Sequence, residues 1–213
     1  MSYLKSVALT VMALTFSAVS NANLLVNGDF EDDVGLTGSR WGVYSSINGW
    51  QTYSGPGIEI QRNTIVAAQS GNQYVELDSH TGTDTNSVMY QAIDSLSVGA
   101  SYELSFWYHA RTNNGAANDN GIEVLWGDSL PGATVLDLEG YSRNSNLGWM
   151  NFSLDLVATA ETMFLSFGAT GLDNTLGGFI DNVSLTAVPE PGTLALFAIG
   201  AAGLLVGRRR LQS

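Results

Sequence analysis

Ser101-Tyr102-Glu103-Leu104-Ser105-Phe106-Trp107-Tyr108-His109-Ala110 is the stretch on which the fold turns. Its residues alternate without a break. Tyr102, Leu104, Phe106, Tyr108 and Ala110 fall on one side; Glu103, Ser105, Trp107 and His109 fall on the other, with Arg111 next in that row. Successive side chains of a β-strand point to opposite faces, so this is a strand with one core face and one polar face.

Working outward, the same short alternating segments recur. They fall at 23–26, 57–60, 73–78, 87–92, 121–126, 149–157, 162–167 and 178–185, divided by Gly, Asn, Asp and Ser. No stretch between them has helical periodicity, and the Asn/Gly-rich segment 112–120 reads as a loop. Nine short strands without helices predict an all-β chain, a single antiparallel β-sandwich or jelly roll. In 73–80, Val75 and Leu77 point one way, and Tyr74, Glu76, Asp78 and His80 the other.

Composition narrows the function. The chain has 20 acidic and 8 basic residues, a net charge of −12, and no cysteine. Between residues 23 and 188 the only bases are Arg40, Arg62, Arg111 and Arg143, while every acid except Glu190 lies there. Such a surface repels phosphate backbones, which excludes nucleic acid as a partner. Disulfides, thiolate catalysis and cysteine-ligated metals are excluded outright. Divalent cations, neutral glycans and basic partners remain.

The two ends differ from the middle. Lys5, the apolar stretch 7–19 and then Ser20-Asn21-Ala22 form the charged, apolar and small-x-small pattern of a signal peptide cut after Ala22. At the other end Pro189-Glu190-Pro191-Gly192 precedes the apolar run 193–207 and then Arg208-Arg209-Arg210. As a helix that run spans about 22 Å against a hydrocarbon core of about 30 Å, short for a permanent anchor and adequate for a transient one. The closing arginines place that side in the cytoplasm and the domain across the membrane. Three parts follow: a signal peptide over 1–22, an ectodomain over 23–188 and a tail over 189–213.

Pro189, Glu190 and Pro191, an apolar helix and a basic end, in that order, resemble a PEP-CTERM sorting signal. The resemblance implies recognition and cutting by an integral-membrane exosortase, in an exopolysaccharide-making Gram-negative cell. The ectodomain carries a second resemblance. Asn23-Leu24-Leu25-Val26-Asn27-Gly28-Asp29-Phe30-Glu31 opens it, Gly71-Asn72-Gln73-Tyr74-Val75-Glu76-Leu77 and the decisive strand follow, and Gly178-Phe179-Ile180-Asp181-Asn182-Val183-Ser184-Leu185 closes it. This order is similar to galactose-binding-like jelly rolls, including bacterial carbohydrate-binding modules. In them a structural calcium often joins the first and last strands. By motif position Glu31 and Asp181 would be its side-chain ligands here.

The residues themselves supply a candidate sugar site. Trp107 stands in a polar row, where an indole flanked by Glu103, His109 and Arg111 could stack on a sugar ring while those groups meet its hydroxyls; Tyr74 and Glu76 share the polar parity of the neighbouring strand. The opposing reading has Trp107 packed beneath a covering loop. In the last strand, Phe179, Asp181, Val183 and Leu185 alternate onto one face, so a carboxylate falls in an apolar row and needs a partner. Calcium is one such partner; exposure at a strand end is the other reading.

Catalytic patterns are thin. Gly127-Asp128-Ser129-Leu130 matches the nucleophile block of GDSL esterases, but Pro131-Gly132 follows where a helix is needed, and both histidines, His80 and His109, precede the serine. Glu76 with Glu103 is an ordinary coincidence in so acidic a chain. Asp78, Asp84 and Asn86 lack EF-hand spacing and read as a solvated loop. The expectation is an exported, non-catalytic surface or matrix protein binding polysaccharide. Next comes a structural or adhesive protein without glycan binding, and last a secreted glycosidase or esterase.

Overall fold

The computed structural model describes residues 22–32, 36, 40–80, 84–113, 118–142 and 148–189. The expected signal peptide and sorting helix fall outside these residues. Twelve strands run in order as β1 (Trp41–Tyr44), β2 (Ser46–Ile47), β3 (Trp50–Ser54), β4 (Ile58–Arg62), β5 (Gln73–Glu76), β6 (Val88–Ile93), β7 (Ser101–His109), β8 (Gly121–Gly127), β9 (Ala133–Leu138), β10 (Met150–Val157), β11 (Met163–Thr170) and β12 (Phe179–Ala187). They form two six-stranded sheets, β1-β4-β5-β12-β7-β10 and β2-β3-β6-β11-β8-β9, and every pairing is antiparallel. The all-β sandwich read from the alternation is the fold observed.

Alternation also builds the core. Tyr102, Leu104, Phe106 and Tyr108 of β7 are buried, and so are Leu165 and Phe167 of β11 in the facing sheet. Phe106 meets Phe167 edge-on at 5.2 Å, and Trp50 and Phe30 continue the aromatic layer. Such tilted ring pairs add to the burial of their large apolar areas.

Eight of the nine expected segments correspond to strands. The opening segment at 23–26 is not a ladder strand, yet it lies along β12: Leu24 N–H donates to Leu185 O at 2.8 Å, and the Asn23 side chain brackets Val183 O and Leu185 N–H. Gly28 makes this close approach possible, because a Cβ there would lie 2.1 Å from Val183 O. β1, β2, β3 and β9 were not anticipated. β2 and β3 form a hairpin over Asn48-Gly49, whose glycine sits at φ +78°.

The apolar row expected in the last strand is not formed. The register of β12 against β7 shifts between Asp181 and Ser184, with Asn182 at φ 48°. This bulge reverses the parity. Phe179 and Asp181 therefore share the outer face of the first sheet with Trp107 and His109, while Val183 and Leu185 are core residues.

Candidate functional site: the outer face of the first sheet

The cross-strand register sets the outer face of the first sheet out in rows. Asn151, Trp107 and Asp181 form one; Ser153, Ser105 and Ser184 the next; Asp155, Glu103 and Thr186 the third. Beyond Trp107 the row of Glu59, Glu76, Phe179 and His109 continues toward one end of the sandwich. The six expected ligand residues thus share one face, but in two environments.

Trp107 and Glu103 belong to the open part. Trp107 is half-buried, and none of the described rings stacks on it. Glu103 is exposed and accepts the Ser153 hydroxyl at 3.0 Å, while Ser105 Oγ accepts Asn151 Nδ2 at 3.1 Å. Hydroxyls, an amide and carboxylates around an indole form a flat polar platform.

Tyr74, Glu76, His109 and Arg111 belong to a closed part. The connection between β4 and β5 folds over it: Tyr74 Oη accepts the N–H groups of Ile65 and Val66, and Trp149 Nε1 donates to Ala67 O at 2.8 Å. Trp149 lies edge-on against both Tyr74 and His109. Tyr74 and Glu76 are wholly buried and His109 nearly so. Arg111 pairs with Glu76, donates to Thr175 O at 2.9 Å, and lies 5.9 Å from the Phe179 ring.

Two residues of the closed part had no signal in the sequence, because a polar residue on an outer face looks exposed until a loop covers it. Glu59 stands opposite Glu76, and Gln61 Nε2 donates to both, at 2.6 Å and 3.0 Å. Burial pushes Glu76 up to about 8 against the opposing pull of Arg111, and burial also raises Glu59.

Glu31 and Asp181 meet at the junction of three segments. Asp181 Oδ2 accepts the N–H groups of Gln69 and Ser70, and Oδ1 that of Asn182. Glu31 Oε1 accepts those of Asn72 and Gln73, both at 2.6 Å. Both carboxylates therefore clasp the turn before β5. Burial pushes Asp181 up to about 7; its amide donors pull the other way, and the nearby Glu31 charge adds to the rise. Among the described residues no group of three or more His, Asp or Glu side chains gathers round one point, and the Arg111–Glu76 pair is the one salt bridge. Asp181 is thus a buried carboxylate with no cationic side chain paired to it among the described residues, its oxygens met by backbone N–H groups.

The esterase-like motif lies in the turn between β8 and β9. Ser129 is exposed there, and no helix follows it; both histidines belong to the first sheet's side of the molecule, whereas β8 and β9 lie in the second. Asp78, by contrast, is buried: it accepts the Thr85 hydroxyl and the Leu176 N–H, and so pins two loops together. Another aromatic set, unmarked by the sequence, lies on the outer face of the second sheet. Tyr90 and Phe164 meet at 6.0 Å, Tyr90 Oη bonds Gln51 Oε1 at 2.9 Å, and Ala92, Ser166 and Gly168 beside them are small.

An antiparallel sandwich that presents a flat polar face bearing an aromatic ring is the build of a ligand-binding module. Comparison with known proteins makes the class specific. Residues 22–124 match the family model for a carbohydrate binding domain, and residues 187–210 match the PEP-CTERM protein-sorting motif. Residues 22–124 are thus similar to a carbohydrate-binding domain, and the motif at 187–210 indicates an exported protein sorted to the cell surface. Among curated relatives, the multifunctional-autoprocessing repeats-in-toxin of Vibrio cholerae is 31% identical over 171 residues, covering 80% of this chain and 3% of that protein. The chain therefore spans a small fraction of the curated relatives it matches. Among solved structures, a Stig cyclase of Fischerella sp. TAU has TM-score 0.50 at 18% identity, covering 78% of this chain and 97% of that one. An arabinose-bound α-L-arabinofuranosidase has TM-score 0.50 at 12% identity, covering 78% and 26%. At such identities these two speak for the fold alone.

Proposed function

We propose that this is an exported surface protein whose sandwich binds polysaccharide without catalysing its breakdown, the cell's own exopolysaccharide being the simplest partner. The observation that carries the proposal is Trp107, half-buried in a polar face with none of the described rings stacked on it, on a chain with a carbohydrate-binding domain match. The indole would stack on a sugar ring; Glu103 and the serines and Asn151 beside it would meet hydroxyls. Arg111 would stand at the edge of the site, with Glu76, Tyr74 and His109 holding it from beneath.

One structural calcium, held by Glu31 and Asp181, would neutralise the junction between the opening segment, the turn before β5 and the last strand. The signal peptide would end at Ala22. The tail would anchor the chain through the helix 193–207 until an exosortase-type membrane protease removes it. A glycan array probed with the exported protein tests the binding: signal on one polysaccharide class supports it, and a blank array leaves a structural or adhesive surface protein.

A different placement of the sugar, across the outer face of the second sheet, is favoured by the Tyr90–Phe164 pair with its small neighbours. Separate Trp107→Ala and Tyr90→Ala variants on the same array distinguish the two faces.

A further inference from the structure

We propose that two copies of this chain pair along β10, antiparallel about Ser153, so that the first sheet runs on from one copy into the other. β10 is the last strand of that sheet, with β7 on one side, and among the described residues no strand pairs with it on the other. A bare edge of this kind is a template for another strand, and folded proteins keep such edges short, bulged, charged or broken by proline. The other three terminal strands are blunted in that way. β1 has four residues and β2 has two, and the ladder of β9 against β8 slips at Val135. β10 has eight residues, its register against β7 is unbroken, and Asp155 is its only charge.

The direction of its backbone groups follows from β7. Ser101 O accepts Val188 N–H from β12, so Ser101 and Val157, which stand opposite each other, do not exchange bonds. By antiparallel alternation Asn151, Ser153 and Asp155 then turn their N–H and C=O groups outward. Val157 does the same, and its carbonyl accepts Trp126 Nε1 at 2.9 Å. Asn151, Ser153 and Asp155 are exposed, while Phe152 and Leu154 between them are half-buried. Pairing about Ser153 sets residue 151 opposite 155, 152 opposite 154 and 153 opposite itself. Asn151 of one copy meets Asp155 of the other, an amide against a carboxylate. On the core side Phe152 meets Leu154, and each covers apolar surface that the other leaves open at the edge. Centring the pair on Asp155 instead would set like charges face to face. The outward residues exchange about six backbone bonds in the pair, and main-chain bonds of this kind carry strand-addition complexes.

The consequence for binding, unlike the pairing itself, rests on the polysaccharide reading. The two outer faces lie on one side of the joined sheet, and Trp107 stands opposite Asn151 in each copy. Three strand spacings and four residues then separate the two indoles, about 20 Å. One polymer chain can reach both, and each contact raises the local concentration of the other.

The test is sedimentation equilibrium of the full-length protein in detergent, in the absence of sugar. A monomer–dimer equilibrium is expected. Asn151→Asp, which sets carboxylates opposite each other on both sides of the axis, should weaken it about tenfold. Asn151→Asp combined with Asp155→Asn should restore it. A protein monomeric at every concentration overturns the proposal and leaves the glycan array to decide binding. Association that Asn151→Asp leaves unchanged, as contact through the tail would, overturns it too. So does a weakened pair that the double variant fails to restore.

Discussion

Arg111 and Glu76 form the one salt bridge among the described residues, and the carboxylate in it is wholly buried. The same Glu76 oxygen accepts Gly177 N–H, so the pair ties β5 to the loop before β12. Removing one member of such a pair leaves the other without compensation. Arg111→Ala is expected to destabilise the protein by about 3 kcal/mol, the low end for breaking a buried pair, because Glu76 can keep a proton instead. Glu76→Gln, which retains an acceptor, is expected to be milder. Urea unfolding of the two variants decides; equal losses would mean the charge on Arg111 is not what matters.

Stability is expected to fall as pH rises when calcium is chelated. Glu76 is pushed up to about 8 and Asp181 to about 7, in each case by burial. The folded protein therefore binds more protons than the unfolded chain from roughly pH 4 to pH 8, and stability declines through that window. The melting temperature in chelator should drop between pH 5 and pH 8, and Asp181→Asn should flatten part of the slope. A melting temperature that climbs over this range would contradict the assignment.

Calcium should reverse part of that loss. With the ion present, the melting temperature at pH 7.5 is expected to rise above its value in chelator. Asp181→Ala should lower stability in both conditions, since it deletes the acceptor for Gln69, Ser70 and Asn182 N–H. It should also erase the difference between them. Identical curves for the parent protein with and without chelator would remove calcium from this junction.

Trp107 and Tyr74 should separate binding from stability. Trp107→Ala removes a half-buried ring with no stacking partner among the described residues, so its melting curve should stay within a few degrees of the parent. Tyr74 is wholly buried between Phe179 and Trp149, with its hydroxyl bonded to the covering loop. Tyr74→Ala is expected to cost about 3–5 kcal/mol. Comparable losses in the two variants would mean that Trp107 is a packing residue.

The contrast between these residues also shows how far the sequence could be read. Alternation in 101–110 is a local property, so the core face of β7 and the parity of Tyr74 and Glu76 were legible. β9 was not, because its residues are mostly exposed and present no apolar alternation. The parity of Asp181 failed at Asn182, where one extra residue in the strand turns Val183 and Leu185 inward. Nothing in the sequence announces such a bulge. The burial of Tyr74 depends on the connection from 63 to 72 folding back over its own sheet, and Glu59 and Glu76 are met by His80 N–H, Arg111 and Gly177 N–H from other segments, all tertiary events. A shared face was therefore legible, and its division into open and covered parts was not.

Ser129→Ala should leave esterase assays of the purified protein unchanged, since the serine stands in an exposed turn without a histidine to activate it. Hydrolysis of a model ester that disappears in this variant would revive the esterase reading.

The most direct test of glycan binding is affinity electrophoresis of the mature protein through gels cast with different polysaccharides, in calcium and in chelator. Retardation by a particular polymer, lost in Trp107→Ala and retained in Ser129→Ala, is the expected result. Equal mobility in every gel would contradict polysaccharide binding and leave a sorted surface protein with a structural role.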